Sequence, residues 1–207
     1  RIGTVGKPIA DTEIKIAEDG EILVKGPQIM MGYYKDPELT AEVIKNGYFH
    51  TGDIGVVDAD GFLRITDRKK EMFKTSGGKY IAPQVLENAL KQSRFIEQLM
   101  VIGENQKMPA ALIEPNWEFV AEWGKNKGLN LPTDLAALSQ HPKVIARIQK
   151  EIDGFNAKFG KWEQIKKFEL TPEVWSIEMG LLTPTMKMKR KIIKAHYQSL
   201  IDKIYAE

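Results

Sequence analysis

A run of basic residues follows a Thr-Pro-Thr segment near the end of the chain. Five cationic side chains lie between Lys187 and Lys194, directly after Thr183-Pro184-Thr185. The proline and threonines are typical of a helix start, and cations in a first helical turn oppose the helix dipole. Residues that destabilise their own helix in this way indicate that the positive charge serves to bind another group. An ordinary basic surface and a nucleic-acid site are the alternatives, but no aromatic-interleaved basic stripe or nucleic-acid motif supports the latter.

A second candidate is the carboxylate of Asp53, in the stretch Tyr48-Phe49-His50-Thr51-Gly52-Asp53. A carboxylate directly after a glycine, in a turn beside a strand, can accept two hydroxyl hydrogen bonds of the kind that a ribose diol offers. On these residues alone, an aspartate that caps its own turn is at least as good an interpretation. His50 has no second metal ligand nearby in the sequence and is interpreted as a structural histidine.

A glycine loop follows a charge run in the middle of the chain. The charge run is Asp67-Arg68-Lys69-Lys70-Glu71, and the loop is Thr75-Ser76-Gly77-Gly78-Lys79. Consecutive glycines let a backbone pass close to a ligand, and exposed amides can meet a phosphate or an amide. The loop is not a Walker A motif, because the glycine required five residues earlier is replaced by Met72 or Phe73. The charge run also fits a solvated linker, and the two interpretations are compatible.

The composition is that of an ordinary globular protein. The chain has 207 residues, 43% hydrophobic and 28% charged, with no cysteine. The lack of cysteine excludes disulfides and thiolate metal sites and, with no visible signal peptide, predicts a cytoplasmic location. The longest apolar runs fall far short of the ~20 residues that a transmembrane helix needs. Because the chain opens on Arg1-Ile2-Gly3, we expect it to be part of a longer protein.

The charge distribution divides the chain into two parts. Residues 1–66 carry 7 basic and 11 acidic side chains, whereas residues 67–207 carry 23 basic and 17 acidic ones. The division predicts two units with a boundary near Asp67 and a basic second unit that faces an anion.

Strand and turn patterns dominate the first unit, and helical patterns the second. Alternating residues predict two hairpins with turns at Asp19-Gly20 and at 58–61, and a short helix at 37–45 between them. The patterns of the second unit predict the following elements: a helix from Ala82-Pro83 to about Arg94, paired strands at 99–103 and 110–113, helices between 115 and 160 with an apolar stripe of Val144, Ile148, Ile152, Phe155 and Phe159, a strand near 166–170, and one last helix carrying Ile193, Tyr197, Leu200, Ile201 and Ile204. The predicted fold class is α+β: a small β-rich subdomain, then a small α+β domain with a three-stranded-type sheet and flanking helices.

Taken in this order, the three clusters resemble the C-terminal third of an AMP-forming acyl-CoA synthetase of the adenylate-forming superfamily. Within that superfamily, they are most similar to the long-chain fatty acid branch. The opening Gly3-Thr4-Val5-Gly6-Lys7-Pro8 is similar to the stretch after the family's adenine-binding Thr-Glu motif. Gly32-Tyr33-Tyr34 and residues 48–53 are similar to the motifs that follow that stretch in the family's sequences. Residues 67–71 resemble the hinge, residues 74–83 the glycine loop, and residues 183–190 the terminal lysine motif. The ordered set is specific, although each motif alone is weak.

The resemblance implies nucleotide-binding and hinge residues. Asp53 would bind the ribose hydroxyls of AMP, with Arg68 as a second ribose contact. Asp67 or Lys70 would be the pivot on which a C-terminal lid turns. The implied domains are 1–66, the β-rich end of the N-terminal adenylation domain, 67–70, the hinge, and 71–207, the lid.

The resemblance also implies catalytic and coenzyme A residues. Lys187, three residues before Arg190, would be the catalytic lysine that stabilises charge as a carboxylate attacks the α-phosphate of ATP, and Lys189 is the alternative. Many relatives have glycine directly before this lysine, where this chain has Met186, and the long-chain branch commonly lacks that glycine. The residues implied for the coenzyme A channel are Gly77, Gly78 and Lys79.

The implied activity is that of an ATP-dependent long-chain fatty acid–CoA ligase, with fatty acid, ATP and coenzyme A as substrates and Mg²⁺ in the longer enzyme. The implied partner is an N-terminal domain of the same chain, which would carry the phosphate loop, the Thr-Glu motif and the acyl pocket. We therefore expect this segment alone to be inactive and to bind no cofactor tightly and no nucleic acid; association with a membrane surface is left open. The alternatives are an adenylate-forming ligase for short-chain, aryl or amino acid substrates, and a non-enzymatic anion-binding module.

Overall fold

The computed structural model describes residues 1–206. Internal contacts divide the chain into two compact units, Arg1–Met72 and a second unit that begins at Phe73. Separate sheets and interspersed helices make the fold α+β, as the sequence patterns predict. In this part of the chain, no helix is long and apolar enough to cross a bilayer.

The first unit is an antiparallel sheet with one short helix. Its elements are β1 (Glu13–Ile16), β2 (Glu21–Lys25), α1 (Pro37–Val43), β3 (Ile44–Lys45), β4 (Tyr48–Val57) and β5 (Leu63–Arg68). The ten-residue strand β4 pairs with β2, β3 and β5, so it joins the whole sheet. Both predicted hairpins are present, β1 with β2 and β4 with β5.

The first unit buries few of its own apolar side chains. Within the described chain, its buried apolar residues are Ile22 and Leu63. Many other apolar side chains of this unit lie on its surface: Ile2, Val5, Ile9, Ile16, Met30, Met31, Tyr33, Tyr34, Leu39, Val56, Val57 and Ile65. So much exposed apolar surface on a small sheet is typical of a unit that another part of a protein covers.

The second unit is built on a three-stranded sheet with β9 (Ala110–Pro115) in the centre. Strand β8 (Ile96–Ile102) pairs with it antiparallel, and β10 (Lys167–Leu170) pairs with it parallel. Two short strands, β6 (Phe73–Lys74) and β7 (Tyr80–Ile81), form a separate hairpin. The sequence patterns predict the three strands of the sheet, but the parallel direction of β10 is known only from the structure.

Alternating side chains of the central strands enter two different hydrophobic clusters. Leu99 and Val101 of β8 pack in the first cluster, and Met100 and Ile102 pack in the second. Strand β9 alternates in the same way, and all six of its residues are buried. Since both faces of the sheet are covered, these strands appear in the sequence as continuous apolar runs.

Helices cover both faces of this sheet. The first cluster includes side chains of α2 (Pro83–Leu90), α3 (Trp117–Asn126), α4 (Leu135–Ser139) and α5 (Pro142–Asn156). The second cluster includes side chains of α6 (Arg190–His196) and α7 (Gln198–Tyr205). Val144, Ile148 and Ile152 form the buried stripe of α5, as their spacing predicts.

Two helix ends differ from the predictions. Helix α1 ends at Val43 rather than Lys45, because the next two residues pair with β4 as a short strand. Helix α2 ends at Leu90 rather than near Arg94, because tight turns follow it and bring the chain to the start of β8. In these turns the N–H of Ser93 donates to the carbonyl of Leu90 at 3.0 Å.

The single last helix predicted from the sequence is two helices, α6 and α7. The break is at Tyr197, whose φ of −105° and ψ of 27° are not helical. The Tyr197 ring stacks on Trp175 with centroids 6.0 Å apart, and its hydroxyl donates to Glu173 at 2.9 Å. The apolar pattern continues across the break, which is why periodicity alone does not detect it.

Glu114 is a buried carboxyl group near the end of β9. It is 2% exposed, and its Oε2 atom has no hydrogen-bond partner among residues 1–206. Burial raises the pKa of Glu114 to about 7, although a hydrogen bond from the Trp175 backbone opposes this shift. The folded protein therefore holds a proton on Glu114 at pH values where the unfolded chain has lost it.

We predict that the free energy of unfolding decreases as pH rises from about 4.5 to 7. Over this range the folded state binds more protons than the unfolded state, because Glu114 keeps its proton only when folded. Glu114→Gln keeps the side chain neutral and should remove this dependence. At pH 8 the variant should be more stable than the unsubstituted protein, by at most about 3 kcal/mol. Urea unfolding at pH 5 and pH 8, with the exposed Glu122→Gln as control, measures the difference. The same pH dependence in all three proteins would contradict the assignment.

Candidate functional site

Asp53 and Arg68 face each other across strands β4 and β5. The two residues are paired in the ladder, and Arg68 Nε lies 2.8 Å from Asp53 Oδ1. Among residues 1–206, Arg68 is the only side chain that bonds the Asp53 carboxylate, and no turn amide does. The interpretation of Asp53 as a cap of its own turn is therefore wrong. The structure brings together the two residues that the family resemblance implies for ribose binding.

A buried carboxylate, Glu21, holds the segment next to Asp53. Glu21 is 4% exposed and accepts hydrogen bonds from the Gly52 N–H at 2.9 Å and the Lys69 ammonium at 2.9 Å. His50 Nδ1 lies 3.0 Å from the same carboxylate, in keeping with a structural histidine. Although burial raises the pKa of Glu21, the bonds from Lys69 and His50 hold it below its usual value. Sequence reasoning missed Glu21, because a single glutamate at the start of a strand carries no signal.

The charge run 67–71 spans the end of β5 and the turn after it. Asp67 is fully buried inside the strand, paired with Ile54, so the interpretation as a solvated linker is wrong at this position. Lys69 is still tied to the sheet, since its N–H donates to the carbonyl of Gly52 at 2.8 Å. Lys70 follows in the turn with an exposed side chain. The two pivot candidates therefore lie in different environments.

The glycine loop connects β6 and β7. The Thr75 hydroxyl lies 3.3 Å from the Lys79 N–H, and the Gly78 N–H donates to the Thr75 carbonyl at 2.9 Å. Gly78 has a φ of +76°, a conformation that favours glycine. Gly77, Gly78 and Lys79 are all exposed, and no atom lies closer than 4.0 Å to the Cβ position of either glycine. The backbone of the loop is therefore open to a ligand.

The residues around Lys187 form a tight hairpin turn, residues 183–187, which we call the lysine turn. The Thr183 N–H donates to the Lys187 carbonyl at 2.8 Å, and the Lys187 N–H donates to the Thr183 hydroxyl at 3.0 Å. A bridge between Leu182 and Met188 extends the hairpin. The prediction that a helix starts at Pro184 is wrong, because the chain makes this hairpin first and α6 begins only at Arg190.

The five cations of this region have different surroundings. Arg190 pairs with the buried Glu87 at 2.5 Å, and Lys194 lies 3.5 Å from Glu104. The ammonium groups of the other three, Lys187, Lys189 and Lys191, have no hydrogen-bond or ion-pair partner within residues 1–206. Lys187 is exposed where the turn closes opposite Thr183, so its ammonium is available to an anion.

The described part of the chain was compared with the ligand groups that metal ions require in proteins. Residues 1–206 contain no group of three or more histidine, aspartate or glutamate side chains arranged to hold a metal ion. The first unit offers the paired carboxylate and guanidinium of Asp53 and Arg68, and the second unit offers exposed cations and open backbone amides.

Comparison with known proteins identifies the family of this chain. Residues 71–207, well over half of the chain, match the family model described as AMP-binding enzyme C-terminal domain. The chain belongs to this family. The match confirms the resemblance inferred from the three motifs, and it does not favour a non-enzymatic anion-binding module.

Named relatives in this family are fatty-acid–CoA ligases. Over 205 residues, 99% of this chain, it is 40% identical to the long-chain-fatty-acid–CoA ligase FadD15 of Mycobacterium tuberculosis. It is 37% identical over 219 residues, again 99% of this chain, to the human long-chain-fatty-acid–CoA ligase 1. The chain spans about a third of the length of these relatives, 34% of the first and 31% of the second.

A solved structure shows the same fold with a nucleotide bound. The A domain of a carboxylic acid reductase from Segniliparus rugosus, in complex with AMP and a co-purified carboxylic acid, matches with a TM-score of 0.75 at 25% identity. The match covers 96% of this chain and 32% of that one. The α+β fold is thus that of an adenylate-forming enzyme.

Within this AMP-binding enzyme C-terminal domain, the backbone of the lysine turn has an unusual conformation at Met186, the residue directly before Lys187. Met186 has a φ of +59°, in the left-handed region. Glycine adopts this region without strain, so the glycine that the family resemblance implies directly before the lysine would fit this backbone. Methionine is unbranched at Cβ and 56% exposed here, so this chain accommodates it with modest strain.

This geometry predicts opposite tolerance for two substitutions at Met186. Met186→Gly should leave the stability close to that of the unsubstituted protein, because relief of strain offsets the entropy that glycine adds to the unfolded chain. Met186→Val should cost about 1–2 kcal/mol more than glycine, since a β-branched residue resists positive φ. Urea unfolding measures both. Met179→Val is the control, because Met179 is also exposed but has no positive φ; equal costs at the two positions would argue against strain at Met186.

Proposed function

We propose that this chain is the C-terminal part of an ATP-dependent long-chain fatty acid–CoA ligase. The enzyme joins a fatty acid to the α-phosphate of ATP, releasing pyrophosphate, and then transfers the acyl group to the thiol of coenzyme A, releasing AMP. The observation that carries the proposal is the exposed ammonium of Lys187, which has no partner within residues 1–206, on a hydrogen-bonded turn of a domain whose named relatives are fatty-acid–CoA ligases.

Lys187 is the proposed catalytic residue of the adenylation step. A carboxylate oxygen of the fatty acid bonds to the α-phosphorus while the bond to the pyrophosphate oxygen breaks, and negative charge builds up on the phosphate oxygens. An ammonium positioned before the reaction stabilises this charge without reorganisation of its surroundings. The hydrogen bonds between Thr183 and Lys187 hold the backbone in place, and no partner in residues 1–206 competes for the ammonium.

Asp53 and Arg68 are proposed to bind the ribose of the nucleotide. Arg68 Nε bonds the Oδ1 atom of Asp53, and Oδ2 has no partner in the described residues, so a ribose hydroxyl can donate to it. The carboxylate is partly exposed, and its arginine partner is more so. The arginine orients the carboxylate and has further N–H groups that can reach the second hydroxyl.

Lys70 rather than Asp67 is proposed as the pivot of the lid. A pivot must change its backbone angles without breaking buried structure. Asp67 is fully buried, pairs with Ile54 and bonds the Arg68 N–H with its own carboxylate at 2.6 Å. Lys70 lies in the turn outside the strand with its side chain in solvent, so rotation there leaves the ladder intact.

The glycine loop is proposed to line the channel for coenzyme A. Gly77 and Gly78 allow an amide-containing arm to lie against the backbone, because no side chain fills that space. The Lys79 ammonium, 5.7 Å from the ring centroid of Trp162, offers a positive charge near the loop. The thiol reaches the acyl-adenylate only after the lid has turned, so the two steps use one site in sequence.

The remaining parts of the reaction are assigned to an N-terminal domain of the same protein. The exposed apolar residues of the first unit, among them Val56, Val57 and Ile65, are the surface proposed to face it. The phosphate loop and acyl pocket also belong to that domain, so this segment alone is expected to be inactive. The lack of cysteine supports a reducing compartment, the cytoplasm.

Asp53→Ala in the longer enzyme should weaken binding of ATP and of the acyl-adenylate to a similar extent, because both keep the ribose. The loss of one hydrogen bond to a charged acceptor costs about 1.5–3 kcal/mol. Isothermal titration with a non-hydrolysable ATP analogue measures the change. Asp60→Ala is the matched control, since it removes an exposed carboxylate from the turn between β4 and β5 of the same unit. Unchanged nucleotide affinity in Asp53→Ala would refute the ribose assignment.

Lys187→Ala should slow adenylation by about 10²–10³-fold, the scale on which one preorganised charge-stabilising group acts. Transfer from a supplied acyl-adenylate to coenzyme A should be nearly unchanged, because the turned lid carries Lys187 away from the phosphate. Pyrophosphate exchange and single-turnover thioester formation measure the two steps.

Lys191→Ala removes another exposed charge four residues away and should be mild, which controls for general basic charge. Equal loss of both steps in Lys187→Ala would contradict the role given to Lys187. If Lys189→Ala is the variant that abolishes exchange, Lys189 is the catalytic lysine instead.

A further inference from the structure

A buried carboxylate on α2, Glu87, joins three elements of the second unit. Glu87 is 3% exposed, and its Oε1 atom accepts the N–H of Val101 on β8 at 2.8 Å. Its Oε2 atom accepts a hydrogen bond from the guanidinium of Arg190, the first residue of α6, at 2.5 Å. Glu87 and Arg190 are 103 residues apart in the sequence, so nothing local predicts the pair.

Arg190 lies at the end of the hairpin that carries Lys187. Between them, the Lys189 N–H donates to the Leu181 carbonyl at 2.8 Å and closes the hairpin. On the other strand of the hairpin, Leu181 and Leu182 are fully buried in the second hydrophobic cluster. The lysine turn is therefore held on one side by apolar packing and on the other by the bond between Arg190 and Glu87.

The position of Arg190, in the first turn of a helix and largely buried, is electrostatically unfavourable for a cation. A cation in the first turn of a helix opposes the helix dipole, and the Arg190 side chain is only 18% exposed. Burying an ion pair adds little stability compared with apolar packing, but removing one partner leaves a buried charge. The segments that this pair joins are α2, β8 and the end of the hairpin, and a change in their arrangement that separated the two charges would leave a buried charge unpaired.

We propose that the Glu87–Arg190 pair positions Lys187 for the adenylation step. The ammonium of Lys187 has no partner in residues 1–206, so its location depends on the backbone of the turn and hence on the two attachments of the hairpin. A displacement of about 1 Å at a reacting centre can cost on the order of 10²-fold in rate. This inference rests on the proposed function, because it requires that Lys187 acts at the α-phosphate.

Glu87→Gln in the longer enzyme tests the proposal. Glutamine keeps the shape and one acceptor oxygen but loses the charge that binds Arg190. Adenylation should fall by about 10–100-fold, with the KM for ATP little changed, while transfer to coenzyme A stays within about threefold. Arg190→Lys keeps the charge without the planar guanidinium and should slow adenylation by a smaller factor.

A double variant separates positioning from simple destabilisation. If Glu87 acts through Lys187, the pair Lys187→Ala and Glu87→Gln should adenylate no more slowly than Lys187→Ala alone. Multiplying effects, or equal loss of both half-reactions, would overturn the proposal. Glu169→Gln is the matched control, because it removes the carboxylate from another ion pair of the same unit, with Lys203 at 2.8 Å, and should not separate the two half-reactions.

The outcomes distinguish this inference from the proposed function. If Lys187→Ala does not slow adenylation, the proposed function is wrong, and the role of Glu87 falls with it. If Lys187→Ala slows adenylation but Glu87→Gln and Arg190→Lys do not, only the positioning role is wrong. Circular dichroism checks that each variant folds, and Arg190→Lys provides the rate comparison if Glu87→Gln does not fold.

Discussion

The second unit depends on the burial of β9 on both of its faces. Residues 110–113 of this strand alternate between two hydrophobic clusters, so a shift of one residue in register would exchange these four side chains between them. One cluster receives α2 to α5, and the other receives Leu181, Leu182 and the last two helices. Because the hairpin of Lys187 begins with these two leucines, the place of the proposed catalytic lysine is set by the central sheet.

Each unit uses a buried carboxylate to hold a segment that carries a charged side chain proposed to bind a ligand. Glu21 binds the backbone of Gly52, next to the proposed ribose ligand. Glu87 binds Arg190, three residues from the proposed catalytic lysine. An unpaired buried carboxylate is costly, so each one constrains its donors to a single arrangement. The Lys187 ammonium has no partner within residues 1–206 and Asp53 keeps its Oδ2 atom for a ligand, while the buried carboxylates determine where these two groups stand.

Sequence patterns predicted the elements whose signals are local. The two hairpins and the stripe of α5 follow from periods of two and of 3.6 residues. The lysine turn was missed because Thr-Pro-Thr fits both a helix start and a hairpin turn, and the left-handed residue that decides between them is Met186 rather than a glycine. The partners of Glu87 and the parallel pairing of β10 involve residues far apart in the chain, where single-sequence patterns carry no information. Family motifs singled out Asp53 and Arg68, but only the structure shows them bonded.

The free ammonium of Lys187 follows from the way its turn is held. An ammonium paired with a carboxylate of its own unit would have to break that bond before it reached a phosphate. The turn instead takes its rigidity from bonds that leave the ammonium out: the Lys187 backbone to Thr183, and Arg190 to Glu87. In the proposed reaction the lysine must also leave the phosphate when the lid turns. A charge carried on a hydrogen-bonded turn, with no partner for its ammonium among residues 1–206, can do both, because neither movement breaks a bond to the described part of the chain.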